Sequence, residues 1–219
     1  MLRLLFEKKG RSVWISHLDL MRLFQRGFKR AGLPLTHTQG FNPRPSVSIA
    51  LPLSVGVESK CELLDFELES CDVSTDEIRD RLNTGLVEGV RVLDVYKDGR
   101  KIRDLSYLCC ALVLEYDNGI AEGCVDALQH LFAGETIIVP KKTKNGIQDQ
   151  NIATMIKEIH FTKASDREVL CICTICCQNP TLNPAQIPLA VEKYCPEWKA
   201  DHCRITRSEI LDQNFEVFR

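Results

Sequence analysis

The alternation of apolar and polar residues predicts the elements of the first half of the chain. Residues 2–8, Leu-Arg-Leu-Leu-Phe-Glu-Lys, alternate with the period of a strand. The next apolar positions recur with the period of a helix, which we expect to begin after Ser16 and to stop at Gly32, because Pro34 follows. Strands are predicted near residues 46–51, 62–69 and 90–96, and a second helix over residues 74–86. The order βαββαβ is that of a ferredoxin-like unit.

The second half repeats this order with additions. The polar run at residues 97–101, Lys-Asp-Gly-Arg-Lys, is the expected boundary. Beyond it the pattern predicts a strand (105–116), a helix (120–132), a short strand (136–139), a basic loop (140–146), two strands (155–162 and 168–176), a helix (184–194) and a last strand (203–211). We therefore predict an α+β fold of two tandem ferredoxin-like (βαββαβ) units, the second elaborated, over residues 1–98 and 104–219.

The first helix has a well-defined start and an unusual polar face. Ser16 and Asp19 form a capping-box pattern, and Ile15 is placed to pack on Leu20. At about 100° per residue, one sector about 100° wide is purely cationic. It holds Arg22, Arg26, Lys29 and Arg30, opposite Leu20, Phe24, Phe28 and Ala31. Such a face is either a solvated surface or a row of phosphate contacts along a nucleic acid.

A loop with an aromatic residue and several amides follows the helix. Gly40 tolerates backbone angles that other residues avoid, and Pro43 and Pro45 stiffen what comes after it. Two interpretations stay open for the aromatic ring. It either plugs into the core or stacks on a base while neighbouring side chains bind the nucleotide. The candidate recognition residues are Gln39, Phe41, Asn42 and Arg44.

His17 is the one residue with a candidate catalytic role. It lies in the first helical turn, where the helix dipole favours the neutral imidazole and also attracts an anion. The alternative is a histidine that caps the helix or fills the core. A catalytic role in RNA processing requires His17 and His37, or His17 and a cationic group, to meet in one pocket.

Charge is distributed unevenly. Residues 1–59 hold nine Lys/Arg and three Asp/Glu, a balance of +6, whereas residues 60–219 hold nineteen and twenty-seven, a balance of −8. A basic segment in an otherwise acidic chain indicates a local anionic partner. No apolar run approaches the roughly 20 residues of a membrane span, and the first ten residues lack the features of a signal peptide. We therefore expect a cytoplasmic protein without a membrane partner.

The eleven cysteines are an odd number, and in the cytoplasm we expect reduced thiols. The cluster of Cys171, Cys173, Cys176 and Cys177 resembles a metal site at first. Strand alternation, however, places Cys171 and Cys173 on one face, and no second Cys-x-x-Cys pair lies at zinc-ribbon spacing. We predict buried thiols, no metal site and no cofactor.

Four segments resemble a family of radical-SAM-associated domains of unknown function. They are Ile-Ser-His-Leu-Asp-Leu-Met-Arg (15–22), Arg-Ala-Gly-Leu-Pro (30–34), Gln-Gly-Phe-Asn-Pro (39–43) and Leu-Pro-Leu-x-Val-Gly-x-Glu-Ser (51–59). The family occurs as a separate chain or as the C-terminal part of B12-binding-type radical-SAM proteins. The Lys141–Gly146 loop is also similar, but many members carry histidine where this chain has Arg44.

The resemblance implies a bacterial protein with a radical-SAM partner. Together with the basic segment, it predicts an RNA-binding or substrate-presenting module for a radical-SAM modification enzyme. One alternative is a metal-independent RNA-processing or RNA-modifying enzyme that uses His17. Another is a protein-interaction subunit whose cationic helix face contacts an acidic surface of the radical-SAM partner. An accessory without catalytic activity is favoured over an enzyme.

Overall fold

The computed structural model describes residues 1–70, 72–143 and 146–219. Over these residues the fold is α+β, with antiparallel strands and four α-helices. The chain divides into two compact units, Met1–Ile102 together with Arg219, and Arg103–Phe218. In the described part of the chain, no helix is long and apolar enough to span a bilayer.

Unit 1 contains the segments that carry the candidate site. Its elements are β1 (Leu2–Lys8), α1 (His17–Arg30), β2 (Val47–Ile49), β3 (Val57–Phe66), α2 (Thr75–Gly85) and β4 (Val90–Lys97). The strands pair antiparallel in the order β4-β1-β3-β2. The predicted bounds of β1 are confirmed. The third strand was predicted to begin at Glu62 but begins at Val57, because the buried position at Ser59 is polar and breaks the apolar pattern.

The core of unit 1 forms where the apolar face of α1 packs on the sheet. Leu20, Phe24 and Phe28 are fully buried. The ring of Phe24 meets that of Phe6 edge-on, with centroids 4.8 Å apart, and the rings of Phe28 and Phe66 are 4.7 Å apart. Burial of large aromatic rings in such pairs contributes strongly to stability. This packing fixes the orientation of α1 and directs its opposite face to solvent.

A buried lysine closes the turn that precedes α1. Lys8, the last residue of β1, is completely inaccessible. Its ammonium donates hydrogen bonds to the carbonyl oxygens of Val13 (3.1 Å) and Ile15 (3.2 Å). A buried ammonium needs such partners because its desolvation is costly. Lys8 therefore ties the end of β1 to the residues that lead into the helix.

Unit 2 contains four further antiparallel strands and a separate two-stranded ribbon. Its elements are β5 (Leu105–Glu115), α3 (Cys124–Phe132), β6 (Ile138–Thr143), β7 (Gly146–Asn151), β8 (Ile156–Lys163), β9 (Glu168–Cys176), α4 (Gln186–Tyr194) and β10 (His202–Asp212). Within this unit the strands lie in the order β10-β5-β9-β8, and β6 pairs with β7.

Two predictions for unit 2 were wrong in detail. The segment at residues 140–146 was predicted to be a basic loop, but β6 extends to Thr143 and pairs with β7; Lys144 and Asn145 lie outside the described residues. The helix predicted from residue 120 begins at Cys124, because Gly123 has a left-handed conformation (φ +85°) that is incompatible with helix continuation.

Candidate functional site

The Ser16 half of the predicted capping box is present at the start of α1, and the Asp19 carboxylate contacts the Ser16 hydroxyl. The Ser16 hydroxyl accepts a hydrogen bond from the backbone N–H of Asp19 (3.2 Å) and donates one to the Asp19 carboxylate (2.7 Å). The other carboxylate oxygen of Asp19 lies 2.9 Å from Nη1 of Arg22. The hydrogen bonds from Ser16 and then Arg22 lower the pKa of Asp19. Ser16 and Asp19 therefore have structural roles here.

The polar face of α1 is solvent-exposed along its whole length. We call its four cations the cationic stripe: Arg22, Arg26, Lys29 and Arg30, all exposed. Arg22 pairs with Asp19, but no carboxylate among the described residues forms an ion pair with the other three. Three cations on one face thus keep their charge available for an external anion.

A hairpin loop over residues 36–46 holds the second group of candidate residues. Its base is closed by hydrogen bonds from Thr38 N to Arg44 O (2.8 Å), from Arg44 N to Thr38 Oγ1 (3.1 Å) and from Ser46 N to Thr36 O (2.8 Å). Its tip turns at Gly40, where φ is +135°. The side chain of Phe41 is fully exposed and does not plug into the core. The other candidates are exposed as well: Gln39, Asn42 and Arg44.

A cavity of about 420 Å³ joins α1 to the base of this loop, and we call it the α1 cavity. Its apolar lining comes from Phe28, Leu33, Pro34, Leu35 and Pro45. Its polar lining comes from Gln25, Lys29, His37 and Glu69. Within the described residues, none of these four polar side chains has a hydrogen-bond or ion-pair partner. Backbone pairing holds the walls in place, since Glu69 N donates to Pro34 O (3.0 Å) and Leu35 pairs with Leu68.

His17 lies far from this cavity. It is partly buried in the first turn of α1, and within the described part of the chain its Nδ1 has no hydrogen-bond partner. Lys29, which lines the cavity, is twelve residues further along the helix, a rise of about 18 Å. The structure therefore does not bring His17 and His37 together, which an RNA-processing role for this histidine pair would require. A catalytic role for His17 stays a prediction.

The sequence reasoning missed several residues that belong to the site. Gln25 and Glu69 line the α1 cavity, and so does His37, which the sequence suggested only as a partner of His17. Trp14, just before α1, is 72% exposed, and Leu18, in its first turn, is 67% exposed. Leu18 could have been found, since the angular count that places Leu20 in the core sets Leu18 outside it. Glu69 carried no signal, because only tertiary pairing brings it beside α1.

The cysteine cluster has the character that the alternation predicts. Cys171, Cys173, Cys176 and Cys177 are buried, whereas Ile172 between the first two is exposed. Across the described residues, no group of three or more His, Cys, Asp or Glu side chains is placed to hold a metal ion. Burial raises the pKa of the Cys177 thiol to about 12. A protonated, buried thiol behaves as a small apolar side chain.

Comparison with solved structures identifies a relative in fold. The chain matches one in the crystal structure of a Cbf5-Nop10-Gar1 complex with 9% identity and a TM-score of 0.51, covering 95% of this chain and 48% of that one. This chain thus spans about half the length of that relative. An unknown protein from Galdieria sulphuraria is 12% identical over 94% of this chain and 96% of its own, with a TM-score of 0.26 that is too low to indicate a shared fold. No curated protein matches this chain significantly.

A family model gives a direct match. It covers residues 1–184, which include Met1–Ile102 of unit 1 with the cationic stripe and the hairpin loop. The family is described as an uncharacterized protein conserved in bacteria. A match over most of the chain shows membership, and the chain therefore belongs to the family of uncharacterized bacterial proteins known as DUF2344.

Proposed function

We propose that this protein is an RNA-binding module that presents single-stranded RNA to a radical-SAM modification enzyme. The observation that carries the proposal is the α1 cavity. It is lined by Lys29 of the cationic stripe and by His37 and Pro45 of the hairpin loop, so the two candidate binding elements adjoin each other within unit 1.

The chemistry of this surface suits a single strand. Cations on one helix face are suited to follow a phosphate backbone, and their contacts give affinity without sequence selection. Phe41, fully exposed at the tip of a loop whose base is hydrogen-bonded, offers a ring on which a base can stack. Asn42 and Gln39 beside it carry amides that both donate and accept hydrogen bonds.

The radical-SAM part of the proposal rests on the resemblance of the four segments between residues 15 and 59. We also propose that both units are ferredoxin-like, with the tandem domains at residues 1–98 and 104–219. In support, unit 1 orders its strands β4-β1-β3-β2 and unit 2 orders them β10-β5-β9-β8. In each unit the first strand of the chain is therefore central. Fold alone does not transfer function, so RNA binding is argued from the site.

The test is a titration of purified protein with fluorescent single-stranded RNA at several salt concentrations. The double variant Arg22→Glu/Arg26→Glu should lose at least about tenfold in affinity, and the slope of log affinity against log salt should fall by about 1.4 for two lost contacts. The matched control Arg91→Glu/Lys97→Glu changes net charge equally at exposed positions on β4. Absence of binding at low salt, or binding that salt does not weaken, would overturn the proposal.

A second candidate function is that of a protein-interaction subunit of the radical-SAM partner. The exposed Trp14 and Leu18 support it, because they offer apolar surface that a protein partner can remove from water. Binding of the purified radical-SAM protein of the same organism should fall in Trp14→Ala/Leu18→Ala, while RNA binding is retained. If instead Arg22→Glu/Arg26→Glu abolishes partner binding and RNA does not bind at all, the cationic stripe serves the protein partner.

A further inference from the structure

We propose that the α1 cavity binds one guanine nucleotide, extruded from the single strand and held by Glu69. This inference rests on the proposed function, which it deepens by naming the base that the surface selects. It draws on the size of the cavity, its lining and the state of its polar side chains.

The size and walls of the cavity suit a nucleobase. Its volume of about 420 Å³ lies within the range of about 300–1,000 Å³ that is common for ligand pockets. Pro34 and Pro45 contribute rigid apolar surfaces, and Phe28 and Leu33 close the floor as fully buried core residues. An unstacked base loses the stacking contacts with its neighbouring bases, and contacts with apolar walls of this kind replace them.

The polar side chains of the cavity are available to a ligand. Glu69 and Lys29 have opposite charges and line the same cavity, yet they form no ion pair with each other or with any other described residue. Gln25 and His37 likewise make no side-chain hydrogen bond within the described ranges. The acid, the cation and the imidazole are exposed and the amide is half-buried, so these groups can exchange solvating water for a ligand that carries both donors and a negative charge.

The carboxylate determines which base fits. An ionised Glu69 only accepts hydrogen bonds, and its two oxygens suit two adjacent donors. Among the four RNA bases, guanine alone presents two neighbouring N–H donors, N1–H and the 2-amino group, on its Watson–Crick edge. Adenine, cytosine and uracil each place an acceptor beside their donor, which would face the carboxylate and repel it. Gln25 is then free to donate to the remaining guanine acceptors.

The cations of α1 are placed to bind the phosphate of the same nucleotide. Lys29 belongs both to the cavity and to the cationic stripe. An ammonium at this position can bind the phosphate that precedes or follows the extruded base, and the strand then continues along Arg26 and Arg22. The cavity would thus set the register of the strand on the helix, a selection that phosphate contacts alone do not provide.

The experiment measures the affinity of the protein for GMP, AMP, CMP and UMP, and for two octanucleotides, one with a single central guanosine and one without. GMP should bind at least about tenfold more tightly than the other nucleotides, and the guanosine octanucleotide should show a similar advantage. Glu69→Gln should remove both preferences, because the amide replaces one acceptor by a donor. The control Glu67→Gln removes an exposed carboxylate two residues away and should retain both.

The outcomes separate this inference from the proposed function. Salt-dependent RNA binding with equal affinity for both octanucleotides, and no preference for GMP, would overturn the guanine site and leave the RNA-binding module intact. A GMP preference that Glu69→Gln abolishes, without any RNA binding, would retain the cavity as a nucleotide site and overturn the module. Unchanged GMP affinity in Glu69→Gln would remove Glu69 from the site.

Discussion

The guanidinium of Arg3 on β1 donates two hydrogen bonds to the carboxylate of Asp65 on β3, from Nε to Oδ1 (2.6 Å) and from Nη2 to Oδ2 (3.0 Å). The two residues are direct register partners in the antiparallel pair. Nη1 of Arg3 also donates to the carbonyl oxygen of Arg100 (2.8 Å). Arg3 is 4% exposed, so water hardly competes for the two hydrogen bonds between Arg3 and Asp65. Arg3 joins the central strand pair of unit 1 to the segment after β4.

Asp65→Ala should destabilise the protein by about 3 kcal/mol, because it leaves a buried guanidinium without its carboxylate. Urea denaturation followed by circular dichroism measures the loss. Asp72→Ala, an exposed acidic position in the same unit, is the control and should change stability by less than about 0.5 kcal/mol. Similar losses in the two variants would show that the pair of Arg3 and Asp65 contributes little.

Ser16→Ala should cost about 1 kcal/mol of stability, since it removes the side chain that satisfies a free N–H at the start of α1. Ser16→Asp restores an acceptor and should recover part of the loss. The matched control is Ser48→Ala at an exposed strand position, which makes no comparable side-chain hydrogen bond among the described residues. A neutral effect of Ser16→Ala would contradict the capping role.

The Asp19 carboxylate should titrate below the usual aspartate pKa of about 3.9, because the hydrogen bonds from Ser16 and Arg22 favour its charged form. Its folded-state pKa is lower than its unfolded-state value, so its stabilising contribution is present above the unfolded pKa and is lost as the pH falls through the folded pKa. Carbon-detected NMR titration measures this pKa. Ser16→Ala should raise it, and an unchanged value would contradict the assigned cause.

The buried thiols should resist alkylation in the native protein. Burial raises the pKa of Cys177 to about 12, and partial burial raises that of the half-buried Cys203 to about 11. At pH 8 only roughly one Cys177 in 10,000 is then a thiolate, against about one in four for a free cysteine of pKa about 8.5. Modification of Cys177 by iodoacetamide should be on the order of 1,000-fold slower than in urea, as peptide mass spectrometry would show. Rapid native labelling would contradict its protonated, buried state.

Gly89→Ala should destabilise unit 1 more than a change of backbone conformation alone would. Gly89 has φ +83°, and a Cβ there would collide with the carbonyl oxygen of Lys9, whose N–H donates to Gly89 O (2.8 Å). Gly10→Ala is the matched control, because Gly10 has φ +59° with open space around the added Cβ. We expect about 1–2 kcal/mol for the control and distinctly more for Gly89→Ala in urea denaturation. Equal costs would mean that the backbone moves apart without penalty.

The sequence predicts the elements that have one buried face. The alternation in β1 and the 3.6-residue period of α1 are direct consequences of that burial, and both give the right element type. The ribbon strand β7, Gly-Ile-Gln-Asp-Gln-Asn, has no such face: its first four residues are exposed and its last two are only half-buried. Its pairing with β6 therefore leaves no apolar pattern, and the strand was missed. The start of β3 was missed for a different reason: Ser59 is a polar residue at a buried position, so it interrupts the apolar pattern.

The candidate site could be predicted only where its residues are close in sequence. The cationic stripe follows from the geometry of a single helix, so its exposure was predictable. The α1 cavity combines Gln25 of α1, His37 of the hairpin loop and Glu69 after β3. These segments meet because Leu35 pairs with Leu68 and Thr36 N donates to Glu67 O (2.9 Å). Nothing in a local pattern encodes such contacts.

The buried ammonium of Lys8 has a consequence for the motions of this region. If the turn at residues 10–15 opened by itself, the carbonyl oxygens of Val13 and Ile15 would withdraw from an ammonium that is completely inaccessible. Local fraying at the beginning of α1 should therefore be coupled to the opening of β1, one of the two central strands of unit 1. Amide hydrogen exchange in the first turn of α1 should follow the slow, cooperative opening of the sheet instead of the rapid opening typical of helix ends.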